Sequence, residues 1–200
     1  MAGSNPPPAT RRRPTSVAHA VVFEAGVLAL AIALGWVVSV DPFAGLAFRL
    51  DHLGVGLAAT VPPVVALGLL QRSSAPAVVE FRRVVEESVG PLFADAPVTY
   101  MVALALTAGV AEEVLFRGVV QGGLTNLTGW LPALLIASVL FGVVHWLTGL
   151  YALLAGVVGL YLGGLYLLTG NLLVPIVVHA LYDVVALGYL RRAGSTPVTE

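Results

Sequence analysis

TAGVAEEVLFRGVVQGG, residues 107–123, holds two carboxylates and a guanidinium (Glu112, Glu113 and Arg117) inside apolar, helix-forming sequence. Even the lenient insertion scale assigns about 2.5–3.5 kcal/mol to such a residue at a bilayer centre. Two further groups stand in similar surroundings, Phe141-x-x-x-His145 and His179-x-x-x-Asp183. Ionisable residues in so apolar a setting mark where function is to be sought.

Of the 200 residues, 58% are hydrophobic and 10% charged, against about 25% charged in a typical soluble domain. The chain is therefore read as an integral membrane protein. A net charge of -1 gives no footprint for nucleic acid. The absence of cysteine excludes disulfides, thiolate metal sites and thiol catalysis.

Apolar segments of about 20 residues are the unit of a membrane chain. They fall at Val17–Val40, His52–Leu70, Pro97–Leu124, Leu131–Trp146, Tyr151–Leu168 and Leu172–Leu190, predicting an all-α bundle of about six transmembrane helices. Pro62-Pro63 predicts a kink in the second span. Ala77–Phe93 carries apolar residues on one helical face and Glu80, Arg82, Arg83, Glu86 and Glu87 on the other. That pattern fits an interfacial helix, or equally a solvated connecting helix. Residues 1–16 are polar, Pro-rich and basic and read as a disordered lead. Residues 17–192 read as a single transmembrane domain with its motif-bearing core at about 97–190, and 193–200 as a polar tail. The first apolar run is too long for a signal-peptide core and is expected to be retained.

All ten basic residues are arginines. With the N-terminus inside, Arg11, Arg12, Arg13, Arg72, Arg82, Arg83, Arg191 and Arg192 gather on the inner side, Arg49 lies outside and Arg117 is intramembrane. This bias predicts both termini in the cytoplasm and residence in the cell membrane.

Adjacent helical residues point about 100° apart, so Glu112 and Glu113 have different surroundings. Glu113 and Arg117, spaced i, i+4, share a face and are expected to pair. Glu112 is left without a local cation and suits a general base. The bland alternative is that both glutamates pair structurally across helices. Counted from a turn near Thr128, Glu112 and His145 both lie roughly 25 Å away, so they can face each other across a helical hairpin. Phe141, one turn before His145, is expected to pack beside it; a purely packing role for His145 is the alternative. His179 and Asp183 share a face, and such a pair can orient an imidazole, ligate a metal or hydrogen-bond an oxyanion. Counted from the Gly170-Asn171 turn, His179 lies only about 13 Å deep, shallower than Glu112. Glu24 in the first span either lines a cavity or pairs with a helix end, and His52 is expected at an interface.

EEVLFRG (112–118), FGVVH (141–145) and HALYD (179–183), in this order on successive spans, resemble the CPBP family of CAAX proteases and bacteriocin-processing or immunity proteins, which includes type II CAAX prenyl endopeptidases. The resemblance covers about residues 100–185. It implies that Glu112 and His145 activate a water, that Glu113 and Arg117 support them, and that His179 and the last motif position stabilise an oxyanion. Prenyl endopeptidases carry Asn at that last position, where this chain has Asp183. An ionised Asp would oppose an oxyanion, so Asp183 must be protonated, orient His179 or bind something else. Glu112, His145 and His179 would also suit zinc with an open position, whereas a water held by Glu112 and His145 needs no metal. The metal-free, cofactor-free route is the favoured expectation.

The leading expectation is an intramembrane endopeptidase acting on a membrane-associated, prenylated or unprenylated, protein or peptide at the lipid bilayer. A non-catalytic immunity or scaffold protein binding a peptide through the same fold is the alternative. A small-solute or proton transporter would also explain intramembrane carboxylates, but the sequence has no internal repeat of the kind many transporters carry.

Overall fold

The computed structural model describes residues 15–194. The 1–16 lead, except its last two residues, and most of the 193–200 tail lie outside the described residues. The described chain is all-helical: α1 (Thr15–Val37), α2 (Leu50–Ala59), α3 (Val61–Arg72), α4 (Pro76–Ser88), α5 (Gly90–Phe93), α6 (Val98–Glu113), a π-helical segment (Val114–Gln121), α7 (Gly122–Thr128), α8 (Trp130–Val144), α9 (Gly149–Thr169) and α10 (Leu173–Gly194). Five helical runs are long and apolar enough to cross a membrane: 17–37, 50–72, 98–128, 149–169 and 173–193. The fourth expected span, α8, is shorter at 15 residues. The result is a polytopic helical bundle whose outer surface is apolar, as lipid contact demands.

The expected kink in the second span falls at Thr60, which separates α2 from α3 just before Pro62-Pro63. The Thr60 hydroxyl bonds back to Gly56, and the Tyr161 hydroxyl donates to the Ala59 carbonyl at 2.7 Å, fastening the kink to α9. The third span continues to Thr128 and is not an uninterrupted α-helix. Its centre is the π segment, in which the backbone widens around Gly118. Gly118 lies directly against the Pro42 carbonyl, so no side chain fits there. Gly109 permits a similar approach to α10, since an added Cβ would lie 2.9 Å from Ala180 Cβ.

Two features set the depth of the site. The loop between α9 and α10 is sunk into the bundle. Asn171 is buried, and its side chain bonds to both the N–H and the carbonyl of Ala47 and to His52 Nδ1. The 38–49 segment thereby covers the start of α10, where Leu172, Val174 and Pro175 are fully buried. At the other side α8 stops early and His145 forms its C-cap. Amphipathic α4 lies beneath this recess, with Phe81 stacked on Tyr151 of α9 at 5.9 Å. On its polar face Arg83 bridges Glu80 and Glu87, and its hydrogen bond holds the Glu80 carboxyl below the ordinary glutamate range.

Candidate active site

Glu113 is wholly buried and is compensated from two sides. Arg117 Nη1 donates to its Oε1 at 2.9 Å, and His179 Nδ1 donates to the same oxygen at 2.7 Å. Arg117 Nη2 reaches the Gly159 carbonyl at 2.8 Å, and one turn further Gln121 Nε2 reaches the Gly163 carbonyl at 3.2 Å. Residues 113, 117 and 121 thus form a polar rung series that ties the third span to α9 and α10. Phe141 packs under it. The guanidinium lies 4.8 Å from its ring centroid, the His145 ring 4.5 Å, Phe116 5.1 Å and His179 5.9 Å.

Glu112 turns the other way. Its Oε2 stands 3.5 Å from His145 Nε2 and has no hydrogen-bond partner among the described residues. The tautomer of His145 follows from its other nitrogen. Nδ1 is 2.7 Å from the Phe141 carbonyl, which can only accept, so Nδ1 carries a proton. A neutral His145 therefore presents the Nε2 lone pair to the carboxylate. Two acceptors at this spacing need a proton or a water between them, and a water about 2.8 Å from each fits. His179 has committed Nδ1 to Glu113, and its Nε2 lies 3.6 Å from Asp183 Oδ2. For Nε2 also to donate, the ring must be imidazolium.

A cavity of about 550 Å³ is lined by Glu112, His145, His179 and Asp183, and it runs down toward α4. An apolar arm of about 190 Å³ between α3 and α9 shares His145, His179 and Asp183. The structure thus brings Glu112, His145, His179 and Asp183 to one cavity, with Glu113, Arg117 and Phe141 packed behind. His179, counted as shallower than Glu112, nonetheless bonds Glu113 and lines the same cavity as Glu112. As for zinc, no three His, Asp or Glu side chains converge as a metal would need among the described residues. His179 donates Nδ1–H to Glu113, which leaves its Nε2 facing Asp183.

Sequence reasoning left three contributors undervalued. Glu24 of α1, one of two options there, is buried and lines the 550 Å³ cavity. Gln121 could have been found from its i+4 spacing to Arg117. Asn171 reads from the sequence only as a turn residue, and no local pattern announces its bonds to Ala47 and His52.

Residues 94–185 match the family described as type II CAAX prenyl endopeptidase Rce1-like. The chain is 33% identical over 95 residues to the uncharacterized protein YpbD of Bacillus subtilis (strain 168), a match covering 47% of each chain. It thus spans about half the length of that relative. No solved structure matches. The matched residues run from the Ala94 turn through α6, α8 and α9 into α10, and so contain all three motifs that build the cavity. Over residues 94–185 this membrane protein is similar to the Rce1-like family of type II CAAX prenyl endopeptidases.

Proposed function

We propose that this protein is an intramembrane endopeptidase that hydrolyses a peptide bond of a membrane-associated protein or peptide with a water held by Glu112 and His145. The observation that carries this reading is the Glu112–His145 pair, two acceptors 3.5 Å apart on the wall of a cavity. Glu112 takes a proton from the water as it attacks the carbonyl carbon. The same proton then passes to the departing amine, and His145, fixed by the Phe141 carbonyl and ring, keeps the water in line. His179 as imidazolium donates from Nε2 to the developing oxyanion. Asp183 holds the charge of that ring, a role open to Asp where an amide would donate directly. Glu113 and Arg117 anchor His179 from behind.

The positive-inside bias supports cytoplasmic termini in the cell membrane, and on that reading the cavity receives a cytoplasmic tail of the substrate. The test is purified protein in liposomes with lipid-anchored peptides. Glu112→Ala abolishes cleavage while expression is unchanged; cleavage that survives Glu112→Ala overturns the mechanism. If Glu112→Ala and His145→Ala both retain the protein's biological activity, it acts by binding alone.

A further inference from the structure

α1 is a lipid-facing helix for most of its surface: Val22 and Phe23 are 69% and 68% exposed. Glu24, next in line, is only 9% exposed and turns inward. Its carboxylate lines the 550 Å³ cavity together with Glu112, His145, His179 and Asp183. Its Oε2 is buried and accepts no hydrogen bond. The other buried acids of the region each have a basic neighbour: Glu113 has Arg117, Glu112 has His145 and Asp183 has His179. Glu24 has no ion pair among the described residues. Arg82 of α4, which also borders the cavity, donates both its terminal nitrogens to the carbonyls of Gln71 and Ser73. The charged groups acting on Glu24 through space are Glu112, His179 and Asp183, two of them acidic.

A buried carboxylate without a counter-charge is costly, and its place on a cavity wall invites the missing cation. We propose that Glu24 is a specificity-determining residue that receives a protonated nitrogen of the bound peptide, a lysine or arginine side chain beside the scissile bond. The inference rests on the peptidase reading for the class of ligand. Glu24 sits on α1, outside the matched 94–185 segment, so the preference belongs to this chain's own first span. No step of the hydrolysis passes through it. Its part is to fix the register in which the backbone lies across Glu112 and His145.

The experiment uses full-length protein in nanodiscs carrying Glu112→Ala, so that binding is read without turnover. Lipid-anchored peptide pools, N-acetylated, have one position at a time fixed as Lys, Arg, Gln, norleucine or Glu. Binding is followed by fluorescence anisotropy. At one position the Lys and Arg pools bind about tenfold tighter than the Gln pool, the gain of one charge-assisted hydrogen bond. Added Glu24→Gln removes that preference, and Glu24→Arg shifts it toward the Glu pool. A parallel set with a free α-amine and no basic side chain tells the terminal nitrogen from the side-chain nitrogen; tighter binding of that set alone overturns the side-chain assignment. Equal binding of Lys and Gln pools at every position overturns the proposal even where a Glu24 variant fails to fold. So does a cationic preference that survives Glu24→Gln. Cleavage by the protein with Glu112 intact is scored separately, so a failed peptidase reading and a failed Glu24 assignment give different results.

Discussion

Arg117 donates to the Gly159 carbonyl at 2.8 Å while its other terminal nitrogen holds Glu113, so one guanidinium joins two helices and satisfies a buried carboxylate. A planar fork with two separate donors does this, and a lysine ammonium lacks that shape. Arg117→Met leaves Glu113 charged and facing only His179. The expected loss is about 3–5 kcal/mol, the usual result of removing one partner of a buried pair. Thermal unfolding in detergent, followed by tryptophan fluorescence, measures it. Arg117→Lys should fall between the two.

Glu112 and Glu113 separate by role. Glu112→Gln lowers turnover by about 10²–10⁴-fold, the range for loss of a general base, with the melting temperature retained. Glu113→Gln loses stability as well as turnover, because it strands Arg117 and unseats His179. Parallel melting curves and peptide-cleavage rates for the two variants decide this. Equal effects on stability would contradict the assignment.

Gly118→Ala drives a methyl group into the Pro42 carbonyl. The 38–49 segment must shift, and overpacking of this kind costs about 1–3 kcal/mol. Gly26→Ala is the control, since an added Cβ there meets nothing within 4 Å. Its melting temperature should equal or exceed that of the parent.

Chelation should not inhibit. Three donors fail to converge among the described residues. Cleavage measured after dialysis against a strong chelator is expected to match the untreated rate. Activity lost on chelation and restored by zinc would overturn the metal-free route.

Asn171→Ala removes the clasp on Ala47 and His52. The start of α10 loses its cover and the expected cost is about 1–3 kcal/mol for the stranded backbone groups. Amide exchange should rise over 44–52 and 171–175 before any other region.

How much of this was legible beforehand depends on the range of each interaction. The Glu113–Arg117 pair lies within one helix, so its i, i+4 spacing disclosed it. The approach of Glu112 to His145 needed only two helices and one tight turn, and counting residues from that turn was enough. The bond from Arg117 to Gly159 uses a main-chain carbonyl, which no residue type advertises. The sunken Asn171 turn could not be counted either, because loop depth depends on what lies over it. Glu24 stayed ambiguous for the same reason: α1 has little amphipathic pattern to say which face turns inward. The π segment packs against Pro42 at Gly118, a contact between distant parts of the chain.

The short α8 has a consequence for the lipid around it. Exposed Trp130 opens α8 and exposed Trp146 follows its C-cap, His145; the 15-residue helix itself is about 22 Å long. Indole rings settle at headgroup level, while a typical hydrocarbon core is about 30 Å thick. Acyl chains beside α8 must therefore shorten or splay, pinching the bilayer by several ångströms on that flank alone.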